Sequence, residues 1–176
     1  MTSDDSIYHL GLVIDNLTNS IRHIESGESF DTDLALATAE DLKVTTKKNG
    51  WHFSWKAEFK KDDRTVYKLF KTDEPDALQG LISLSEMEGY VYVFLAESAP
   101  LNFGEKKTHE GVGGNLFAFA CKTSWDNGNE GFISFQSKTK LIDHYEQVLG
   151  AVHIGNHRMI IYPKEALSLI KQYYKV

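Results

Sequence analysis

Gly111, Gly113 and Gly114 crowd into four residues of the stretch HEGVGGNLFAFACK, His109 to Lys122. Apolar residues then recur at helical spacing, at Leu116, Phe117, Ala120 and Cys121, and a strand-like run, Tyr90 to Ala96, lies upstream. A glycine-rich turn that opens a helix suits an anion, because its free N–H groups and the helix dipole point at whatever sits there. Glycine has no Cβ, so a phosphate can approach the backbone closely. The same spacing also describes a tight turn before a helix with no ligand at all. No Lys-Ser or Lys-Thr follows the last glycine, so the loop is not a P-loop. A dinucleotide fingerprint fits poorly too. Leu116 stands where Gly or Ala is wanted, and the polar stretch Asn102 to Glu110 separates loop from strand.

The run Gly111-Val112-Gly113-Gly114-Asn115-Leu116 resembles the pyrophosphate loop of the GCN5-related N-acetyltransferases, whose pattern is Gln/Arg-x-x-Gly-x-Gly/Ala followed by a helix. Thr108 stands at the Gln/Arg position, and the connection from Pro100 to Gly111 is longer than usual in that family. Downstream, GFISFQSK (Gly131 to Lys138) reads as a short strand. LIDHYEQVLGA (Leu141 to Ala151) resembles the family's Phe-Tyr-Glu-x-x-Leu-Gly-Phe helix end. Loop, strand and helix follow the family's order over Tyr90 to Ala151.

The resemblance implies an α/β fold with a mixed, mostly antiparallel sheet and helices on both faces, and acetyl-CoA as co-substrate without a metal. Its pyrophosphate would lie on the amides of Gly111, Val112, Gly113, Gly114 and Asn115, with Thr108 beside them. Backbone N–H groups at Leu95, Ala96 and Glu97 would hold the thioester carbonyl. Tyr145 would protonate the departing thiolate, a role that suits a phenol with a proton to give. Glu97 ends the Tyr90 strand where the family's sheet splays, and a carboxylate there can take a proton from an amine; Glu86 and Glu88 are the alternatives. Lys138, with Lys106, Lys107 and a protonated His109, flanks the phosphate-carrying elements. The implied function is transfer of an acetyl group to an amine by direct attack. The alternative is a catalytically inactive module of the same fold that binds CoA or a protein. A third reading, a toxin-like modifier of nucleic acid or its carriers, finds no basic cluster to support it.

Composition bounds these readings. The chain has 176 residues, enough for one domain, taken as 1–176, with a sizeable core. Hydrophobic residues make up 41% and aromatics 12%, as in globular proteins. A net charge of −6 argues against nucleic acid and is compatible with a cationic acceptor, small molecule or protein. Oligomeric state stays open, with a homodimer the arrangement to test. No membrane-spanning run or signal peptide is seen, and a lone cysteine, Cys121, suits a reducing cytoplasm. There is no His-Glu-x-x-His and no Gly-x-Ser-x-Gly, and His153 and His157 face each other across a turn, so zinc and serine-hydrolase chemistry are not expected.

The positioning elements read as follows. Residues 1 to 9 fray, and Leu10 to Asn16 forms a short strand or helix. Ser20 to Ile24 is an edge strand before a turn at Ser26-Gly27-Glu28. Thr38 with Asp41 makes a capping box for a helix through Leu42, which Asn49-Gly50 stops. Trp51, Phe53 and Trp55 alternate, yet Trp51, Trp55 and Phe59 recur at i, i+4, i+8; helix is preferred, with the aromatics in the core. Thr65–Phe70, Leu78–Leu84 and Tyr90–Glu97 form a meander. A hairpin about Gly155-Asn156 and a helix from Pro163 through Tyr173 complete the chain.

Overall fold

Strands of alternating and β-branched residues build two sheets in the computed structural model, which describes residues 8–174. In chain order they are β1 (Ile21–His23), β2 (Ser29–Phe30), β3 (Thr32–Leu36), β4 (Thr65–Lys71), β5 (Glu74–Met87), β6 (Tyr90–Ser98), β7 (His109–Glu110), β8 (Ile133–Gln136), β9 (Val152–His153) and β10 (Arg158–Ile161). The helices are α1 (Trp55–Phe59), α2 (Val112–Asp126), α3 (Ile142–Leu149) and α4 (Pro163–Tyr173). The main sheet runs β3-β4-β5-β6-β8-β10-β9, and a small sheet runs β2-β1-β7. Every pairing between these strands is antiparallel except β6 with β8. This is the mixed, mostly antiparallel sheet expected.

Strand alternation sorts the core onto two faces. Leu69, Ile82 and Val93 join Phe117 of α2, Tyr145 of α3 and Leu169 of α4 in one cluster. Val66, Leu81 and Leu95 join Leu42, Trp51 and Trp55 in the other. Helices therefore cover both faces. Pro163 opens α4, where a missing N–H costs nothing, and Gly150, at φ 68°, closes α3 in the left-handed conformation.

Several local expectations change. Tyr8 and His9 are packed rather than frayed: Tyr8 meets Phe53 edge-on and His9 stacks on His157. The fraying expected of residues 1–7 lies outside the described residues. Leu10 to Asn16 is neither helix nor strand; it is an extended segment with one bridge, Leu10 to Ser137. β1 is the centre of the small sheet, not an edge. The Thr38–Asp41 box does form, with Asp41 N–H donating to Thr38 Oγ1 at 3.1 Å and Thr38 N–H to Asp41 Oδ2 at 2.8 Å. Only a 3-10 turn, Asp41–Val44, follows it. The preferred helix over Trp51 to Lys61 shrinks to α1, because the Ser54 hydroxyl accepts from Ala57 N–H and starts the helix only there. β2 and β3 were not foreseen; both are short and mostly exposed or half-buried.

His109 heads β7, just before the glycine loop. It is buried, with Nδ1 2.9 Å from Asn102 Oδ1 and 2.8 Å from Thr108 Oγ1, and Nε2 has no hydrogen-bond partner among the described residues. Burial, then the charges of Lys71 and His23, push its pKa from 6.5 down to about 4. Protonation thus opposes folding: the unfolded chain binds the proton first, and stability falls as pH drops from 6.5 towards 4. At about 1.4 kcal/mol per unit the loss approaches about 3 kcal/mol. Chemical unfolding of wild type and His109→Gln across that window should show a shallower pH slope in the variant.

Candidate functional site

The parallel contact between β6 and β8 is short. It pairs Val91 with Ile133, Tyr92 with Ser134 and Val93 with Phe135, and ends there. The cause lies on the other side of β6. Ser83 of β5 faces Leu95 but Leu84 faces Val93, so Phe94 is an extra residue, a β-bulge that bends β6 away from β8. The Arg64 guanidinium sits 3.6 Å from the centre of the Phe94 ring and helps hold the bulge.

The gap that opens holds a cavity of about 330 Å³, whose walls include Leu12, Asp15, His52, Ala96, Glu97 and Gly113. At one end the buried Glu97 carboxylate accepts three hydrogen bonds. Oε2 takes the His52 backbone N–H at 2.7 Å and faces His52 Nδ1 at 3.1 Å; Oε1 takes Trp55 Nε1–H at 2.8 Å. A proton on His52 Nδ1 for this contact leaves Nε2 as the basic nitrogen. The imidazole is half exposed and meets the Phe103 ring edge-on. A carboxylate that orients an imidazole is a familiar arrangement for proton transfer.

At the other end the N-terminal segment lies across the glycine loop. Leu10 bridges to β8: its N–H donates to Gln136 O at 2.7 Å, and its carbonyl accepts from Lys138 N–H at 3.0 Å. Tyr145 Oη donates to Leu12 O at 2.6 Å. Ile14 N–H donates to His144 Nε2 at 2.9 Å, and burial lowers the His144 pKa, which keeps that nitrogen an acceptor. Asp15 Oδ1 accepts from Gly111 N–H at 3.1 Å, and Asp15 Oδ2 from Lys107 Nζ at 2.7 Å. The three glycines match this segment. Gly111, at φ 90°, has no room for a Cβ beside Thr18 and Ser20. A Cβ on Gly113 would stand 2.9 Å from Ile14 Cδ1, and one on Gly114 would strike the Tyr173 hydroxyl. Gly111 needs glycine for its backbone conformation; the other two need it for close approach.

The expected site residues divide accordingly. Ala96, Glu97 and Gly113 meet at the cavity. Tyr145 is fully buried, and burial pushes its phenol well above the ordinary value. Leu95 turns its side chain into the opposite cluster, and Val112 packs into the core. Asn115 donates to Thr32 Oγ1 at 2.9 Å. Thr108 is tied to Asn102 and His109 and does not itself line the cavity, though Asn102 does. The Lys138 side chain lies against Gly11. Sequence reasoning missed His52, Trp55 Nε1 and Asp15 as members. Nothing in their spacing links them to Glu97 or Gly111, since each contact is long-range. Among the described residues no group of three or more His, Cys, Asp or Glu could hold a metal ion, and no helix is long and apolar enough to cross a membrane.

No protein-family model and no curated protein sequence matches the chain. Solved structures do resemble it. A chimeric spermidine N-acetyltransferase SpeG, from Vibrio cholerae and hSSAT, superposes with a TM-score of 0.57 at 16% identity, covering 78% of this chain and 99% of that one. The spermidine/spermine N-acetyltransferase SpeG of Vibrio cholerae superposes with a TM-score of 0.52 at 16% identity, covering 78% and 96%. The chain has the fold of the GCN5-related N-acetyltransferases.

The Glu97 cluster makes a stability prediction. Glu97→Ala leaves the buried Trp55 N–H without an acceptor, at a cost of about 1–3 kcal/mol. Denaturant midpoints should fall accordingly, and the same substitution should cost clearly less in a Trp55→Phe background, where the stranded donor is gone.

Proposed function

We propose that this protein is an N-acyltransferase that moves an acetyl group from acetyl-CoA to an amine. The observation that carries the reading is the gap behind the Phe94 bulge, with an oriented imidazole on its wall and, beneath the Leu12 that also lines it, a buried phenol hydroxyl bonded to the Leu12 carbonyl. The thioester of acetyl-CoA supplies an activated carbonyl. The amides of Gly111 to Asn115 would receive its phosphates, with Lys107 and Lys138 nearby. Backbone N–H groups at Leu95 to Glu97 would face the carbonyl oxygen as charge develops there. His52 Nε2 takes the proton that the attacking amine loses, and Glu97 acts by holding His52. The new bond joins amine nitrogen to acyl carbon, the carbon–sulfur bond breaks, and Tyr145 gives its proton to sulfur. The acceptor is an amine, and Cys121, buried as a free thiol, suits a cytoplasmic setting.

A second reading is favoured by one observation: Tyr145 and Gly111 already have partners in the protein's own N-terminal segment. In that reading the fold is a non-catalytic module. Turnover decides between the two. Saturating acetyl-CoA or CoA should raise the melting temperature where NAD and ATP do not, and a panel of amines should yield free thiol. Firm CoA binding with no thiol release from any amine would favour the module.

Two substitutions assign the roles. His52→Ala should lower kcat by about 10²–10⁴ while leaving CoA binding in place. Tyr145→Phe, which keeps the ring, should lower both kcat and kcat/KM, provided chemistry is rate-limiting. An unchanged kcat in either variant removes that residue from the mechanism.

A further inference from the structure

We propose that residues 11–18 form a displaceable strap, an internal occupant of the acyl-CoA groove, in which the Asp15 carboxylate stands in for a phosphate. The inference rests on the acyl-CoA reading above. Asp15 receives two backbone N–H groups, from its neighbour Asn16 and from Gly111 at the head of α2, and one ammonium, from Lys107. An amide at a helix N-terminus together with a cation is the donor set that recognises phosphate. The Leu12 carbonyl receives the Tyr145 hydroxyl, the group assigned to the leaving sulfur. Ile14 lies over Gly113, so close that a Cβ there would stand 2.9 Å from Ile14 Cδ1. These atoms cannot serve strap and ligand together. Occupancy is therefore mutually exclusive, and ligand affinity is reduced by the fraction of molecules whose strap is in place.

The strap is held so that it can lift. Leu10 is bridged to β8 on one side, and β1 begins at Ile21 on the other; residues 11–18 between them contain no regular helix or strand. Val13 is 57% exposed, and Ile14 is the fully buried side chain that must leave its site. The two ends stay anchored, so lifting needs no loss of either sheet.

The test uses the full chain and coenzyme A as the probe. Asp15→Ala should bind CoA at least tenfold more tightly than wild type, and Asp15→Asn, which keeps the shape and loses the charge, should fall between. In the Asp15→Ala background, Lys107→Ala should weaken CoA binding, because the ammonium passes from carboxylate to phosphate. Hydrogen exchange of wild type should show the Ile14 amide, donated to His144, exchanging faster at saturating CoA. If CoA binds wild type while residues 11–18 keep their protection, and neither Asp15 variant binds more tightly, the strap is permanent structure; the proposal falls and the acyl-CoA reading stands. If neither wild type nor a folded Asp15 variant binds CoA, both fall.

Discussion

The extra residue in β6 is the constraint on which this end of the molecule depends. One unpaired position, Phe94, ends the parallel contact with β8 after three residue pairs. A regular β6 would run on beside β8 and seal the sheet. The bulge instead leaves backbone edges that need partners, since buried backbone groups rarely go unpaired. The chain meets that need on the β8 side with Leu10, and the cavity lies along the β6 side. Arg64, held by Glu58 and stacked on Phe94, links the bulge to the helix that carries Trp55. Bulge, cavity and carboxylate cluster are thus parts of one packing arrangement.

The polar groups around the cavity come as linked pairs. Glu97 is buried, but three donors surround it, so its burial is stabilised from within. Trp55 fills the core and also donates one of those bonds, which couples the hydrophobic cluster on that face of the sheet to the carboxylate at its margin. Asp15 and Lys107 make a second pair at the loop, with smaller exposed areas than free surface charges have. The two pairs face one cavity from opposite ends. A ligand entering there would exchange contacts with both.

Much of the fold was legible in the sequence because its signals are local. The Pro163 helix start, the meander strands and the hairpin at Gly155-Asn156 all follow from residue types within a few positions. The order of loop, strand and helix from Tyr90 to Ala151 gave the fold class. What could not be read depends on distance. The aromatic stretch at Trp51 fits strand and helix periods alike; the Ser54 cap sets where the helix starts, and Trp51 and Trp55 are both buried in the cluster with Leu81 and Leu95. β2 and β3 are short and lack strong alternation, and pairing with β1 and β4 defines them. The glycines are the instructive case. A ligand phosphate and a close-packed chain segment demand the same missing Cβ, so Gly113 reads identically for either, and Ile14 is visible only in space.

Leu10 and Ile14 have a consequence for the order in which the chain assembles. Their partners lie far along it: Ile14 N–H finds His144 across 130 residues, and Leu12 finds Tyr145 across 133. During synthesis residues 10–14 emerge well before their seat, which exists only after β8 and α3 have left the ribosome. Contacts of such sequence separation form slowly, because loop closure must precede them. Residues 10–14 therefore dock only once α3 has formed, and until they do the newborn domain carries an open seam with two apolar side chains still in search of their sockets.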